Sequence, residues 1–354
     1  MNGIEEVGNE ILQQDIQAVV RSGVTDGLRD GSTVFVTGAT GLIGSLLVKA
    51  LVCCDRKITV VALARSMEKA QAAFGSLLKS EKLKICLGDV NQPLQVEGPV
   101  DYIIHGASPT SSKYFVEKPV ETIFTALNGT RNVLELAKEK QVKKAVYLSS
   151  LEVYGVPEQK QYITEQDFGS IDPMQVRSSY SEGKRMAECV CASYAKEYGV
   201  PVVVARLCQT FGAGVAYDDG RVFAQFARCA IEGRDIVLHT QGNTVRTYCY
   251  TSDAITALLT LMLRGVPGEA YNVTNMQTAI SIRDMAELVC SLVPEKNIQV
   301  RIEIPEDVAS FGYNPEMIIR LDSGKLQALG WQSTVDLKGM FANLIKSMTA
   351  DRTQ

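Results

Sequence analysis

Along the first two hundred residues, short runs of consecutive apolar, β-branched side chains alternate with longer stretches whose apolar positions recur every three or four residues. The runs predict strands over 33–37, 58–63, 83–87, 102–105, 145–149 and 202–206. Each run is apolar at successive positions, as a strand covered on both faces must be. The stretches between them predict helices over 42–53, 67–78, 120–140 and 179–198. Strands alternating with helices in this way predict an α/β fold built on a doubly wound parallel sheet.

The pattern changes at both ends. Residues 10–21 form an amphipathic segment with Ile11, Ile16, Val19 and Val20 as its apolar positions, either a docking helix or a mobile extension. Beyond Arg206 the chain turns to Gly- and Asp-rich loops over 211–220 and shorter mixed elements. Helices are expected over 222–232, over 253–264 with Asp253 as its cap, and over 282–292 with Ser281 as its cap. The expected organisation is therefore a helical extension (1–30), an α/β unit (31–206) and a smaller lobe (207–354), with some interleaving allowed. The smaller lobe would close over the carboxyl edge of the sheet, where open α/β sheets bind ligands.

Composition removes several classes of function. Lys and Arg number 36 against 40 Asp and Glu, a formal net charge of −4. This leaves no basic excess for nucleic acid or for an anionic membrane. No apolar run approaches the length that spans a bilayer, and residues 1–9 lack the pattern of a secretory signal. The nine cysteines contain no CxxC pair, and the chain has two histidines, so no metal site is expected. Reduced, structural cysteines in a cytoplasmic protein are the expectation.

The first strand leads into Thr37-Gly38-Ala39-Thr40-Gly41-Leu42-Ile43-Gly44. Glycines at 38, 41 and 44 between a strand and a helix let the backbone turn tightly and approach a diphosphate, whose charge meets the free amides of the helix start. Gly38, Thr40, Gly41, Leu42, Ile43 and Gly44 are thus the candidate phosphate-binding turn. The second strand is followed by Ala64 and Arg65, with no acid until Glu68. A carboxylate there would favour NAD and an arginine accommodates a 2′-phosphate, so Arg65 leans the choice between NAD and NADP towards NADP. Asp89 and Val90, after the third strand, are candidate adenine contacts. Tyr180 and Lys184 are spaced i, i+4, which places a phenol and an ammonium on one face of a helix. A tyrosine is a poor base near neutrality unless a cation stabilises its phenolate. Ser150, ending the fifth strand, can supply a second hydrogen bond to a substrate oxygen. Together the three groups suit proton transfer to or from a hydroxyl while hydride moves.

In these motifs the chain resembles the extended short-chain dehydrogenase/reductase family, in its nucleotide-sugar epimerase/dehydratase branch. The resemblance covers roughly residues 33–345 and rests on Thr37–Gly44, His105-Gly106-Ala107-Ser108-Pro109, Ser149–Gly155, Tyr180–Lys184 and Arg206–Gly212. It implies a Rossmann sheet, Ser150 and Tyr180 as the proton-relay pair, and Lys184 on the nicotinamide ribose. His105 and Ala107 would lie against the cofactor. The segments around Ser108, Gln209, Arg221 and Arg246 look most like UDP-glucuronate decarboxylases, which makes those four residues candidate contacts for a nucleotide-sugar substrate. Relatives are commonly homodimers joined through the helices over 120–140 and 179–198, so a homodimer is expected.

The departures are as informative. Dehydratases of this branch carry Asp-Glu after the catalytic hydroxyl and decarboxylases Ser-Glu, whereas this chain has Leu151-Glu152. Without an acid beside Glu152, expulsion of a hydroxide lacks its proton donor, which weighs against dehydration. Glu152 is left as a base, a ligand to a substrate hydroxyl, or a structural residue. Gln209 and Ala126 each replace an Asn usual in the family. The leading expectation is an NAD(P)-dependent oxidoreductase that modifies a nucleotide-activated sugar through a transient ketone. The rivals are a net NADPH-dependent reductase of a nucleotide-linked carbonyl and a catalytically silent cofactor sensor or scaffold.

Overall fold

The computed structural model describes residues 7–158, 160–305 and 316–352. Its strands are β1 (Thr33–Thr37), β2 (Thr59–Ala64), β3 (Leu83–Leu87), β4 (Tyr102–His105), β5 (Lys144–Ser150), β6 (Val202–Leu207), β7 (Gln209–Phe211), β8 (Ile236–Leu238), β9 (Val245–Tyr250), β10 (Ala270–Val273), β11 (Asn275–Ser281), β12 (Val300–Ile302) and β13 (Ile318–Ile319). Seven of them form one all-parallel sheet in the order β10-β6-β5-β4-β1-β2-β3. Every residue of β1 and β6 is buried, while the edge strand β3 exposes Lys84 and Leu87. The continuous apolar runs therefore mark strands covered on both faces. The doubly wound parallel sheet matches the sequence expectation.

The principal helices are α1 (Glu10–Arg21), α2 (Leu42–Cys53), α3 (Met67–Phe74), α4 (Ser112–Glu117), α5 (Pro119–Glu139), α6 (Ser178–Tyr198), α7 (Val222–Glu232), α8 (Thr251–Arg264), α9 (Ile282–Ser291), α10 (Gly324–Gln327) and α11 (Leu337–Arg352). Helix α3 stops four residues short of expectation because Gly75, at φ 52°, turns the chain into a 3-10 segment. Helix α1 is docked, with Ile16 and Val19 fully buried against α2 and α8. Its cap Asn9 accepts from the Leu12 amide at 3.0 Å and donates to Ser347 Oγ on α11 at 2.8 Å.

Strands β7, β9, β11 and β13 make a smaller mixed sheet, and β8 pairs with β12. Phe211, Phe223, Tyr248 and Phe341 form the aromatic centre of this second layer. The stretch 207–354 interleaves with 31–206, because β10 pairs with β6 in the large sheet and α8 packs beneath β5 and β6. Ser281 caps α9 as expected, accepting from the Asp284 amide at 3.0 Å. Asp253 does not cap α8. Strand β9 runs directly into that helix with Tyr250 at the cap position, which places Asp253 inside the first turn. Its carboxylate instead accepts from the amides of Thr334 and Val335 and from Thr334 Oγ1, at 3.0, 3.1 and 2.7 Å.

Candidate active site

The glycine turn is shaped by backbone-to-backbone packing. Gly38 has φ 67°, and a Cβ there would stand 2.5 Å from the carbonyl carbon of Gly106 in the loop after β4. A Cβ on Gly44 would meet Gly38 O at 2.2 Å. Helix α2 starts behind Gly41, which offers no side-chain cap, so the amides of its first turn are left for a ligand. Thr40, Leu42 and Ile43 are half-buried around this turn, and Leu42 packs on the core of the second lobe. A narrow glycine cradle at an uncapped helix start fits a dinucleotide diphosphate.

Around this turn, Arg65 stands exposed at the carboxyl end of β2. Asp89 is also exposed, but its Oδ1 accepts from the Asn91 backbone and side-chain amides at 2.8 and 3.0 Å. Val90 is buried against Gly129 of α5. The Ala107 amide donates to Thr37 Oγ1 at 3.3 Å. His105 is buried at the end of β4. Its ring is bracketed by Thr37 Oγ1, 2.7 Å from Nδ1, and Thr130 Oγ1, 3.3 Å from Nε2, and burial pushes its pKa down to about 3. A neutral imidazole here ties β1, β4 and α5 together beneath the glycine turn.

Tyr180 and Lys184, one helical turn apart on α6, meet Ser150 at the end of β5. The Ser150 hydroxyl neighbours the Tyr180 phenol, whose pKa it lowers, and accepts from the Glu152 amide at 3.2 Å. Lys184 is buried, donates to Leu148 O at 2.7 Å, and sits 4.7 Å over the Tyr147 ring and 5.9 Å from the Tyr180 ring centroid. Burial pulls its pKa down to about 8, with the Glu188 carboxylate opposing that fall. The Tyr180 phenol is pushed above its ordinary value, first by burial and then by the charge of Glu152, while Ser150, Arg177 and Arg221 pull the other way.

Both oxygens of Glu152 are engaged. Arg177 forks onto them at 2.8 and 3.0 Å, and Ser181 Oγ donates to Oε2 at 2.9 Å. Leu151 is buried in the main core, and its side chain has no group that can transfer a proton. Ala126 lies where α5 approaches α6 closely, 3.4 Å from where a Cβ on Gly183 would sit.

The second lobe brings Gln209, Arg221 and Arg246 to the carboxyl edge of the sheet on β7, at the start of α7 and on β9. Arg221 pairs with Asp219, its Nη2 2.6 Å from Oδ2. Arg246 is buried, and its hydrogen-bonding neighbour among the described residues is Val245 O at 3.5 Å. Burial lowers its pKa, and Glu152 is the carboxylate whose charge reaches it. Ser108 is half-buried with its hydroxyl turned back to Pro109 O.

Residues 34–274 match the NAD dependent epimerase/dehydratase family. The chain belongs to this family. Among its relatives is UDP-glucuronic acid decarboxylase 6 of Arabidopsis thaliana, 32% identical over 86% of this chain and 85% of the relative. Another is UDP-glucuronic acid decarboxylase 1 of Danio rerio, 33% identical over 88% of this chain and 71% of the relative. An epimerase of Methanothermobacter thermautotrophicus shares the fold over 97% of both chains, at a TM-score of 0.78 and 21% identity. Arg177 and Phe115 line this family member's site without having been singled out from the sequence. One precedes the helix and the other lies in the six-residue α4, where no spacing marks them.

Proposed function

We propose that this family member oxidises and re-reduces the sugar of a nucleotide-activated hexuronate, through a transient 4-ketone that loses its carboxylate. The observation that carries the reading is the convergence of Tyr180, Ser150 and Lys184 at the carboxyl end of β5. The proposed route starts with transfer of the C4 hydroxyl proton to the Tyr180 phenolate, with Ser150 hydrogen-bonded to the same oxygen. Lys184 holds positive charge beside the phenol. The glycine turn and the α2 amides would hold NAD(P), which accepts hydride from C4 and later returns it. A ketone at C4 leaves the C5 carboxylate in a β-keto acid, so CO2 departs with its bonding electrons left on the sugar and a proton replaces it. Arg246, buried without a carboxylate within ion-pair range among the described residues, supports an anionic substrate, as does the kinship with UDP-glucuronic acid decarboxylases. With Leu151 buried, dehydration lacks its acid.

The test is incubation with UDP-glucuronate and NAD, following CO2 and a UDP-pentose by mass spectrometry. Tyr180→Phe should abolish turnover while cofactor affinity is kept. One observation favours a second reading: exposed Arg65 follows β2 without a neighbouring carboxylate, as a site for NADPH would require. Net consumption of NADPH with a nucleotide-linked ketose, and no CO2 from UDP-glucuronate, would replace the first reading with a reductase.

The same reading includes a homodimer through α5 and α6, supported by Val120, Phe124 and Met186, exposed by 59, 53 and 53%. Sedimentation as a monomer at micromolar concentration would overturn it. A cytoplasmic location is supported by nine free thiols. No helix among the described residues is long and apolar enough to cross a membrane.

A further inference from the structure

Three side chains, Phe115 of α4 with Arg177 and Tyr180 at the start of α6, stand in a stack at the candidate active site. The Phe115 ring of α4 lies flat on Tyr180, with centroids 4.1 Å apart and planes 12° from parallel. The Arg177 guanidinium sits 4.9 Å from the Phe115 ring centroid. Arg177 is itself anchored by its fork onto Glu152, and Ser179 Oγ donates to Phe115 O at 3.0 Å. A planar guanidinium suits both tasks at once, stacking by its face and bonding by its edge.

We propose that Arg177 is a positioning residue for Tyr180, holding Phe115 flat against the phenol and screening that phenol from the Glu152 carboxylate. This rests on the assignment of Tyr180 as proton acceptor. Among the charged groups around the phenol, Arg177 is the one that forms an ion pair with Glu152, while Arg246 on β9 feels the Glu152 charge without pairing to it. Lys184 approaches from α6, and its ammonium is committed to Leu148 O. Arg221 approaches from the start of α7 and is committed to Asp219. Tyr147 of β5 is buried and uncharged. On α4 and α5, Lys113 pairs with Glu117 and Lys118 with Glu121 at the surface. Removing Arg177 would leave the Glu152 charge facing the phenol, making the phenolate harder to form.

The test uses the full-length protein with NAD and UDP-glucuronate, measuring the first burst of NADH against pH. Arg177→Met should move the midpoint upward by about one pH unit, a loss of about tenfold below that midpoint. Arg177→Lys, which keeps the charge, should leave the midpoint in place. Arg177→Met combined with Glu152→Gln should bring it back, a rescue that a purely structural role does not predict. A second readout needs no substrate. The upfield ring-current shift of the Tyr180 ring protons in NMR, assigned by Tyr180→Phe, should shrink in Arg177→Met and in Phe115→Leu. An unmoved midpoint, a double variant no better than the single one, or an unchanged ring-current shift in Arg177→Met would each overturn the proposal. If the wild-type protein makes no NADH from UDP-glucuronate, the substrate assignment fails and the NMR comparison decides the positioning role by itself.

Discussion

Asp15 is a carboxylate on the buried face of α1, 4% exposed, and its Oδ2 has no partner within hydrogen-bond distance among the described residues. Burial pushes its pKa up to about 7 from an ordinary 3.8, the Asp253 charge adds to the rise, and Tyr250 opposes it. Because the folded-state value is raised, the folded protein holds this proton more tightly than the unfolded chain does. The cost of docking α1 is therefore absent below pH 3.8, grows as pH rises, and is complete above about pH 7. A gap of about three pH units at 1.36 kcal/mol each gives an upper bound of about 4 kcal/mol. Undocking of α1 alone caps the cost that global unfolding registers, so about 2 kcal/mol is the expected size. Asp15→Asn keeps the shape and removes the charge. Urea unfolding of both proteins should show the variant gaining stability over wild type by about 1–2 kcal/mol more at pH 8.5 than at pH 5.5. His105 is already neutral across that range, and Lys184, which titrates at about 8, is common to both proteins and cancels in the comparison. An equal difference at the two pH values would refute the reasoning.

Three further outcomes follow from contacts in the structure. Gly38→Ala places a Cβ 2.5 Å from the Gly106 carbonyl carbon at a positive φ, so dinucleotide affinity measured by calorimetry should fall at least tenfold. Arg246→Met removes a buried cation that has no carboxylate within ion-pair range among the described residues, so KM for UDP-glucuronate should rise at least tenfold while urea unfolding shows no loss of stability. Asp253→Ala strips the acceptor from Thr334 and Val335, and should cost about 2–3 kcal/mol in urea unfolding.

Residues that act through the local pattern were legible in the sequence. The runs that became β1 and β6 are buried at every position, and the glycine spacing states its own geometry, since Gly38 and Gly44 leave no room for a Cβ. Tyr180 and Lys184 were legible because a helix converts an i, i+4 spacing into a shared face. What escaped depends on partners distant in the chain. Asp253 reads as a cap by residue type, yet its acceptors are spent on a segment some eighty residues later. The bonds of His105 to Thr37 and Thr130 likewise join residues some seventy and twenty-five positions apart, which no local spacing announces. Asp15 looks like an ordinary polar position on an amphipathic helix until α8 and α11 close over it. Arg177 acquires meaning only when Glu152 and Phe115 are placed beside it.

The return of β10 to the outer flank of β6 bears on how the protein can be made. A polypeptide released after residue 207 would present β6 as a bare, largely apolar rim with a row of unmatched amides and carbonyls, an invitation to pair with another molecule. Synthesis must pass residue 273 before that rim is sealed, so nascent chains remain vulnerable to clumping for some sixty residues after the sixth strand emerges. Shortened versions intended to isolate the nucleotide-binding half are therefore expected to precipitate unless the late strand travels with them.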